Sequence, residues 1–214
     1  MTITEIKDAL ERALELHLMT TAVWHMPGAD HDADPLVRNA ESEGLAGCIV
    51  GQHVCNFKLW HIEDMARRQD VDATVIADCK RRIDTLNQQR NDGMERVDKA
   101  LLTALRDLLP PVRQGAEPRY NTESLGMVVD RLSILSLKIW HMDEQLLRTD
   151  VDAEHIRSCA DKAAVLREQR TDLQRSVMQL LDEFVAGTKQ PRLYFQFKMY
   201  NDPRLNPELY TAKG

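Results

Sequence analysis

His53 and Asn56 stand one helical turn apart, and an imidazole beside a carboxamide offers a polar ligand both donors and acceptors. Further along, Lys80, Asp84, Asn87, Asn91, Glu95 and Asp98 recur at three- and four-residue steps, which gathers them into one narrow arc of a helix. Aspartate and asparagine are poor helix formers, and a merely solvated face usually carries Glu, Lys, Gln or Arg instead. The set His53, Asn56, Asp84, Asn87, Asn91 and Glu95 is therefore the candidate ligand site. It could line a pocket for a sugar or, through Asp84, Glu95 and Asp98, hold a divalent ion. The competing reading is a solvated flank with incidental acids. The pattern names no catalytic residue and no cofactor, and it assigns no metal ligands. The paired Glu-x-x-His spacing of di-iron bundles is absent. The segment Asp30-His31-Asp32-Ala33-Asp34 lacks the glycine and distal glutamate of a calcium loop and reads as a mobile surface loop.

A second constellation occurs twice. With Trp60 aligned to Trp140, residues 57–101 and 137–181 match without a gap at 16 of 45 positions, where chance gives about three. Leu-Trp-His-Ile-Glu-Asp at 59–64 answers Ile-Trp-His-Met-Asp-Glu at 139–144, and Asp-Val-Asp-Ala recurs at 70–73 and 150–153. Arg90 and Arg170 interrupt the apolar rows Ile76-Cys79-Ile83-Leu86 and Ile156-Cys159-Ala163-Leu166 at the same place. An unpaired buried guanidinium is costly, so each should meet a carboxylate. Glu63 or Asp64, and Asp143 or Glu144, are the nearest acids present in both copies. His61, Asp64 and Arg90, with His141, Glu144 and Arg170, are thus expected to form two polar clasps; a pair of acid–histidine sites is the functional alternative. Trp60 and Trp140 fall on the more polar faces of their helices. The first helix, the tail, a partner or a stacked ligand should cover them.

Helical periodicity and caps supply the elements that carry these residues. Thr2 and Glu5 open a first helix that Pro27-Gly28 ends. Two long helices follow over about 38–69 and 72–108, then two more over about 122–149 and 152–186, with Gly187 as the C-cap. The fold expected is all-α: duplicated helical hairpins forming a pseudo-two-fold four-helix bundle, with the N-terminal helix and an irregular aromatic C-terminal tail packed outside. Residues 1–214 read as one domain, with repeat one at 43–108, a linker at 109–121, repeat two at 122–187 and the tail at 188–214. That tail holds Tyr194, Phe195, Phe197, Tyr200 and Tyr210. Asp84, Asn87, Asn91 and Glu95 have no like residue in the second copy, and the tail has no counterpart, so a one-sided cleft roofed by residues 194–200 is the expected site.

Composition narrows the partners. A net charge of −6 gives no basic footprint for nucleic acid. No apolar run is long enough to span a membrane. Glu5, Asp8, Glu11 and Glu15 interrupt the opening stretch where a secretory signal would be apolar, and four cysteines fit buried thiols of a reducing cytoplasm.

The run Leu59-Trp60-His61-x-Glu63-Asp64-x-Ala66-Arg67, together with Ile83-Asp84-x-Leu86-Asn87-Gln88-x-Arg90-Asn91-Asp92, resembles a bacterial domain family of unknown function, numbered 4254. Asp130-Arg131-Leu132-Ser133 and Gln196-Phe197-Lys198-Met199-Tyr200-Asn201-Asp202-Pro203 extend the resemblance, which covers about residues 45–210. The family usually has Glu-Thr-Pro-Gly before Asp-Arg-Leu-Ser, where this chain has Asn121-Thr122-Glu123-Ser124-Leu125-Gly126. The resemblance implies no set activity, only an association with sugar-transfer functions of the cell envelope. Two expectations stand side by side: a site that binds or processes a sugar or sugar phosphate, and a non-enzymatic module that docks an envelope-synthesis enzyme or a second copy of the chain.

Overall fold

The computed structural model describes residues 1–38, 44–111, 117–197 and 202–211. Among these, helix α1 spans Ile3–Trp24, α2 Pro35–Arg38, α3 Gly44–Ala66, α4 Ala73–Leu105, α5 Leu125–Leu146, α6 Ala153–Val185 and α7 Pro207–Tyr210, and no strand is present. The bounds recur with the sequence: α4 and α6 each have 33 residues, and both begin and end at positions 80 residues apart, the offset at which the sequence matches itself. Each turn between paired helices is closed alike, by Arg68 on Asp70 and by Arg148 on Asp150, each a two-pronged ion pair.

Local chemistry sets the ends. Thr2 and Glu5 form a reciprocal capping box, with the Glu5 N–H on Thr2 Oγ1 at 3.2 Å and the Thr2 N–H on Glu5 Oε2 at 2.7 Å. Asp152 caps α6 by accepting the His155 N–H at 2.7 Å. Gly187 takes a φ of +71° just past α6, a conformation for which glycine is suited. The cap of α5 is Ser124, whose hydroxyl accepts the Met127 N–H at 3.3 Å.

Helix α1 is not an outer layer. Ile6, Leu10, Leu14 and His17 are at most 1% exposed. Ile6, Leu10 and Leu14 share a core with Ile49 of α3, Val97 and Leu101 of α4, Val129 and Leu132 of α5, and Val177 and Leu181 of α6. Each fully buried leucine contributes about 2–3 kcal/mol relative to an exposed one, so α1 is a principal source of stability. Its C-terminal turn sets Trp24 against Phe57 of α3 and His25 against Trp140 of α5. The acidic loop that follows is tied down: the Trp24 indole donates to Asp34 at 2.9 Å, and Asp32 pairs with Lys58 at 2.5 Å.

Candidate functional site

His53 is fully buried on α3, between α1 and α5. The Thr21 hydroxyl donates to the His17 carbonyl at 2.6 Å, so Thr21 Oγ1 must accept the proton on His53 Nε2, 2.9 Å away. His53 Nδ1 then accepts from the Ser133 hydroxyl at 2.7 Å, which fixes one neutral tautomer. Burial pushes this imidazole down to about 3. Asn56 donates to Ser133 Oγ and to Asp130 Oδ1, each at 2.9 Å. Asp130, 3% exposed, also accepts from Gln52 and from both prongs of Arg90, whose Nε lies 2.8 Å away. Thus His53 and Asp130 have their hydrogen-bonding capacity largely taken up inside the protein.

The other expected ligand residues face different neighbours. Asp84 pairs with Lys80 along α4, Asn87 is half-buried, and Asn91 is buried at 7% exposure. Glu95 accepts the Gln196 N–H at 3.3 Å, so the tail does lie on this flank; Tyr194 is held by its hydroxyl on the Asn121 carbonyl at 3.3 Å. Tyr200 and the Tyr210 side chain lie outside the described residues. Asp98 anchors the start of α5, accepting the Gly126 N–H at 2.7 Å, and burial pushes its carboxyl up. Among the described residues no hydrogen bond joins His53 or Asn56 to Asp84, Asn87, Asn91 or Glu95.

The clasps take other partners than the spacing suggested. Arg90 meets Asp130 of α5, while Glu63 and Asp64 pair with Arg67, at 3.1 and 4.0 Å. Among the described residues Arg170 pairs with no carboxylate. It donates to the Leu14 carbonyl at 2.9 Å, to Ser136 Oγ at 3.1 Å and to Gln174 at 3.2 Å, and burial lowers its affinity for the proton. Asp143 pairs with Arg167 at 2.6 Å. Glu144 accepts from His141 Nδ1 at 2.6 Å.

His61 and His141 instead meet each other, and His25 joins them. The three rings lie 4.9–5.6 Å apart between centroids. His141 stacks on Trp60 at 4.6 Å, and His25 stacks on Trp140 at 5.1 Å, so the tryptophans are covered by histidines from other elements. Burial, aided by the nearby imidazoles, holds His61 and His141 below the usual histidine range. His25 lies outside the repeated segments, and its place just past α1 gave no periodic signal. Two grooves flank the cluster. One, of about 670 Å³, includes Trp60, Lys138, His141, Lys162 and Leu166; the other, of about 570 Å³, includes Lys58, His61, Arg82 and Leu86. In the sequence alignment of the two copies, Lys58, His61, Arg82 and Leu86 are the counterparts of Lys138, His141, Lys162 and Leu166.

An all-α bundle with a hydrogen-bonded polar network centred on Asp130 and an open aromatic–histidine end is the class this geometry defines. Residues 47–193 match the family described as a protein of unknown function (DUF4254), and the chain belongs to that family. Comparison with curated proteins and with solved structures gives no match.

Proposed function

We propose that the protein binds, or processes, a phosphorylated sugar or similar small anion at its Trp60–His141 end. The observation that supports this reading is the lining of the larger groove, where Trp60 lies with Lys138, Lys162, Asp161 and Gln169. An indole face suits the C–H face of a pyranose, a carboxylate and an amide suit its hydroxyls, and two ammonium groups suit a phosphate. The second groove offers cations of its own in Lys58, Arg81 and Arg82. We read the two hairpins as copies of one unit, which the equal lengths and matching bounds of α4 and α6 support. A cytoplasmic setting accords with four free cysteines, and among the described residues no helix is long and apolar enough to cross a membrane. The family resemblance favours a bacterial envelope glycan as the source of the ligand.

Titration with hexose phosphates and nucleotide sugars in the presence of a chelator, followed by tryptophan fluorescence and calorimetry, tests the reading. Trp60→Ala and Lys162→Ala should each weaken binding at least about tenfold, the loss of one charged or stacking contact. Asp84→Ala and Asn87→Ala should leave it unchanged. The reverse pattern would move the site to the α4 flank, and no binding by any member of the panel would remove it.

A second reading, a docking module for an envelope-synthesis enzyme or a second copy, draws on the tail. Phe195 and Phe197 stack at 5.8 Å while 51% and 85% exposed, an arrangement that a partner surface would bury. Sedimentation of the protein alone distinguishes self-association from a hetero-partner.

A further inference from the structure

Among the described residues, three buried polar atoms without a hydrogen-bond partner lie at the histidine–tryptophan end, on His25, Trp140 and His141, while the others, on His17 and Gln52, lie deeper in the core. His25 Nδ1 lies 2.7 Å from the Thr21 carbonyl, which can only accept, so that nitrogen carries the proton and Nε2 presents a lone pair. His141 Nδ1 is directed at the Glu144 carboxylate at 2.6 Å, which sets the same tautomer. Both Nε2 atoms are buried without a hydrogen-bond partner. His61 completes the group, and one ring nitrogen from each of the three lies within 4.8 Å of the others. A buried lone pair without a donor costs free energy, and one cation bound by all three imidazoles would satisfy both of these.

We propose that His25, His61 and His141 are the protein ligands of a divalent transition-metal ion, zinc being the ion whose chemistry they suit best. Neutral imidazoles bind zinc at about 2.0–2.1 Å, which puts tetrahedral ligand atoms about 3.4 Å apart. To reach that spacing the three nitrogens, now within 4.8 Å of one another, have to close by about 1.4 Å at most. The Nδ1–H bonds to a carbonyl and a carboxylate are the outer-sphere contacts that orient histidine ligands and raise their basicity. Three histidines leave a fourth position open, the pattern of zinc sites that admit water or a ligand atom rather than of closed structural sites. His61 borders one groove and His141 the other, so that position is reachable from the side. Asp64 and Glu144, whose charges act on His61 and His141, add a field that favours a cation.

The proposal is independent of the sugar phosphate reading, because it is tested with metal alone. The chelated protein, titrated with zinc in a calorimeter and with cobalt(II) in a spectrophotometer, should take up one ion per chain, and cobalt should show the visible bands of four- or five-coordination. Glu144→Gln should weaken binding about ten- to a hundredfold, and His61→Ala at least as much. His31→Ala, outside the cluster, should bind as the parent does. His25 packs on Trp140, so its role is read in the unaltered protein, where X-ray absorption of the zinc form should count three imidazoles. No stoichiometric uptake, an unchanged affinity in His61→Ala, or fewer than three imidazoles would overturn the site. Zinc uptake without binding of any sugar phosphate would leave the metal site standing and defeat only the ligand reading.

Discussion

Arg90 and Arg170 occupy the same step of two matching apolar rows, yet they are held by opposite means. Arg90 is paired two-pronged with Asp130, which is itself 5% exposed as a side chain. Among the described residues Arg170 has only neutral acceptors, on the Leu14 carbonyl, Ser136 and Gln174. Removing one member of a buried ion pair strands the other charge, which costs about 3–5 kcal/mol. Arg170 acts only as a donor, so removing it strands no charge, and a long apolar side chain can fill its place. We therefore expect Arg90→Met to lose about 3–5 kcal/mol and Arg170→Met to change stability by less than about 1.5 kcal/mol in urea denaturation. Equal losses would mean that Asp130 is not the reason Arg90 matters. The sequence placed both arginines in the core because their spacing did. It could not name Asp130, whose counterpart in the first copy is Val50, because the partner lies across a helix pairing that no local pattern encodes. His25 was missed for a related reason: it lies beyond the last turn of its helix, where periodicity stops.

At the scale of the elements, caps and periodicity located the ends of the long helices to within about three residues, save the start of α3, which is Gly44 rather than about 38, since most helix ends carry their own chemistry. What they could not locate was α1, expected outside and found in the core. Its buried face includes His17, Thr20 and Thr21 as well as Leu10 and Leu14, so the apolar row looked shorter than the face it buries. A close approach of α5 to α4 was equally hidden. A Cβ on Gly126 would fall well inside contact distance of the Met94 carbonyl oxygen of α4, and the Gly126 N–H is the donor that Asp98 receives. The obstacle is backbone, which cannot swing aside, so Gly126→Ala must drive α5 away from α4 and stretch that hydrogen bond. Overpacking of this kind costs about 1–3 kcal/mol, and a strained helix contact belongs at the upper end. Ala46, the counterpart in the first copy, shows that alanine is compatible with the corresponding place on α3. Thermal unfolding of Gly126→Ala should show a midpoint several degrees below the parent; an unchanged midpoint would mean that the two helices are not pressed together at this glycine.

The whole molecule invites two opposed descriptions, two hairpins that fold separately or one unit that folds at once, and its core decides between them. The main core is shared between the hairpins, and only a smaller cluster of Leu59, Ile62, Cys79 and Ile83 lies within the first alone. Ile49, Val97, Leu101 and Leu105 of the first pack in the same cluster as Val128, Leu132, Val177 and Leu181 of the second, and Ile6, Leu10 and Leu14 of α1 lie in that cluster with both. The polar network crosses the same boundary, since Arg90, Gln52 and Asn56 of one hairpin converge on Asp130 of the other. Separating the hairpins would expose the main cluster and strand a buried carboxylate together, so a half-folded state would keep only the small Leu59–Ile83 cluster of the first hairpin. We expect a single cooperative transition in urea. Far-UV circular dichroism, which reports all the helices, should coincide with the fluorescence of Trp24, Trp60 and Trp140, which reports the end of the bundle where α1, α3 and α5 meet. An earlier fluorescence transition would show that the histidine–tryptophan end opens on its own before the core. Two steps in the dichroism would show that the hairpins are separate folding units joined only by contact.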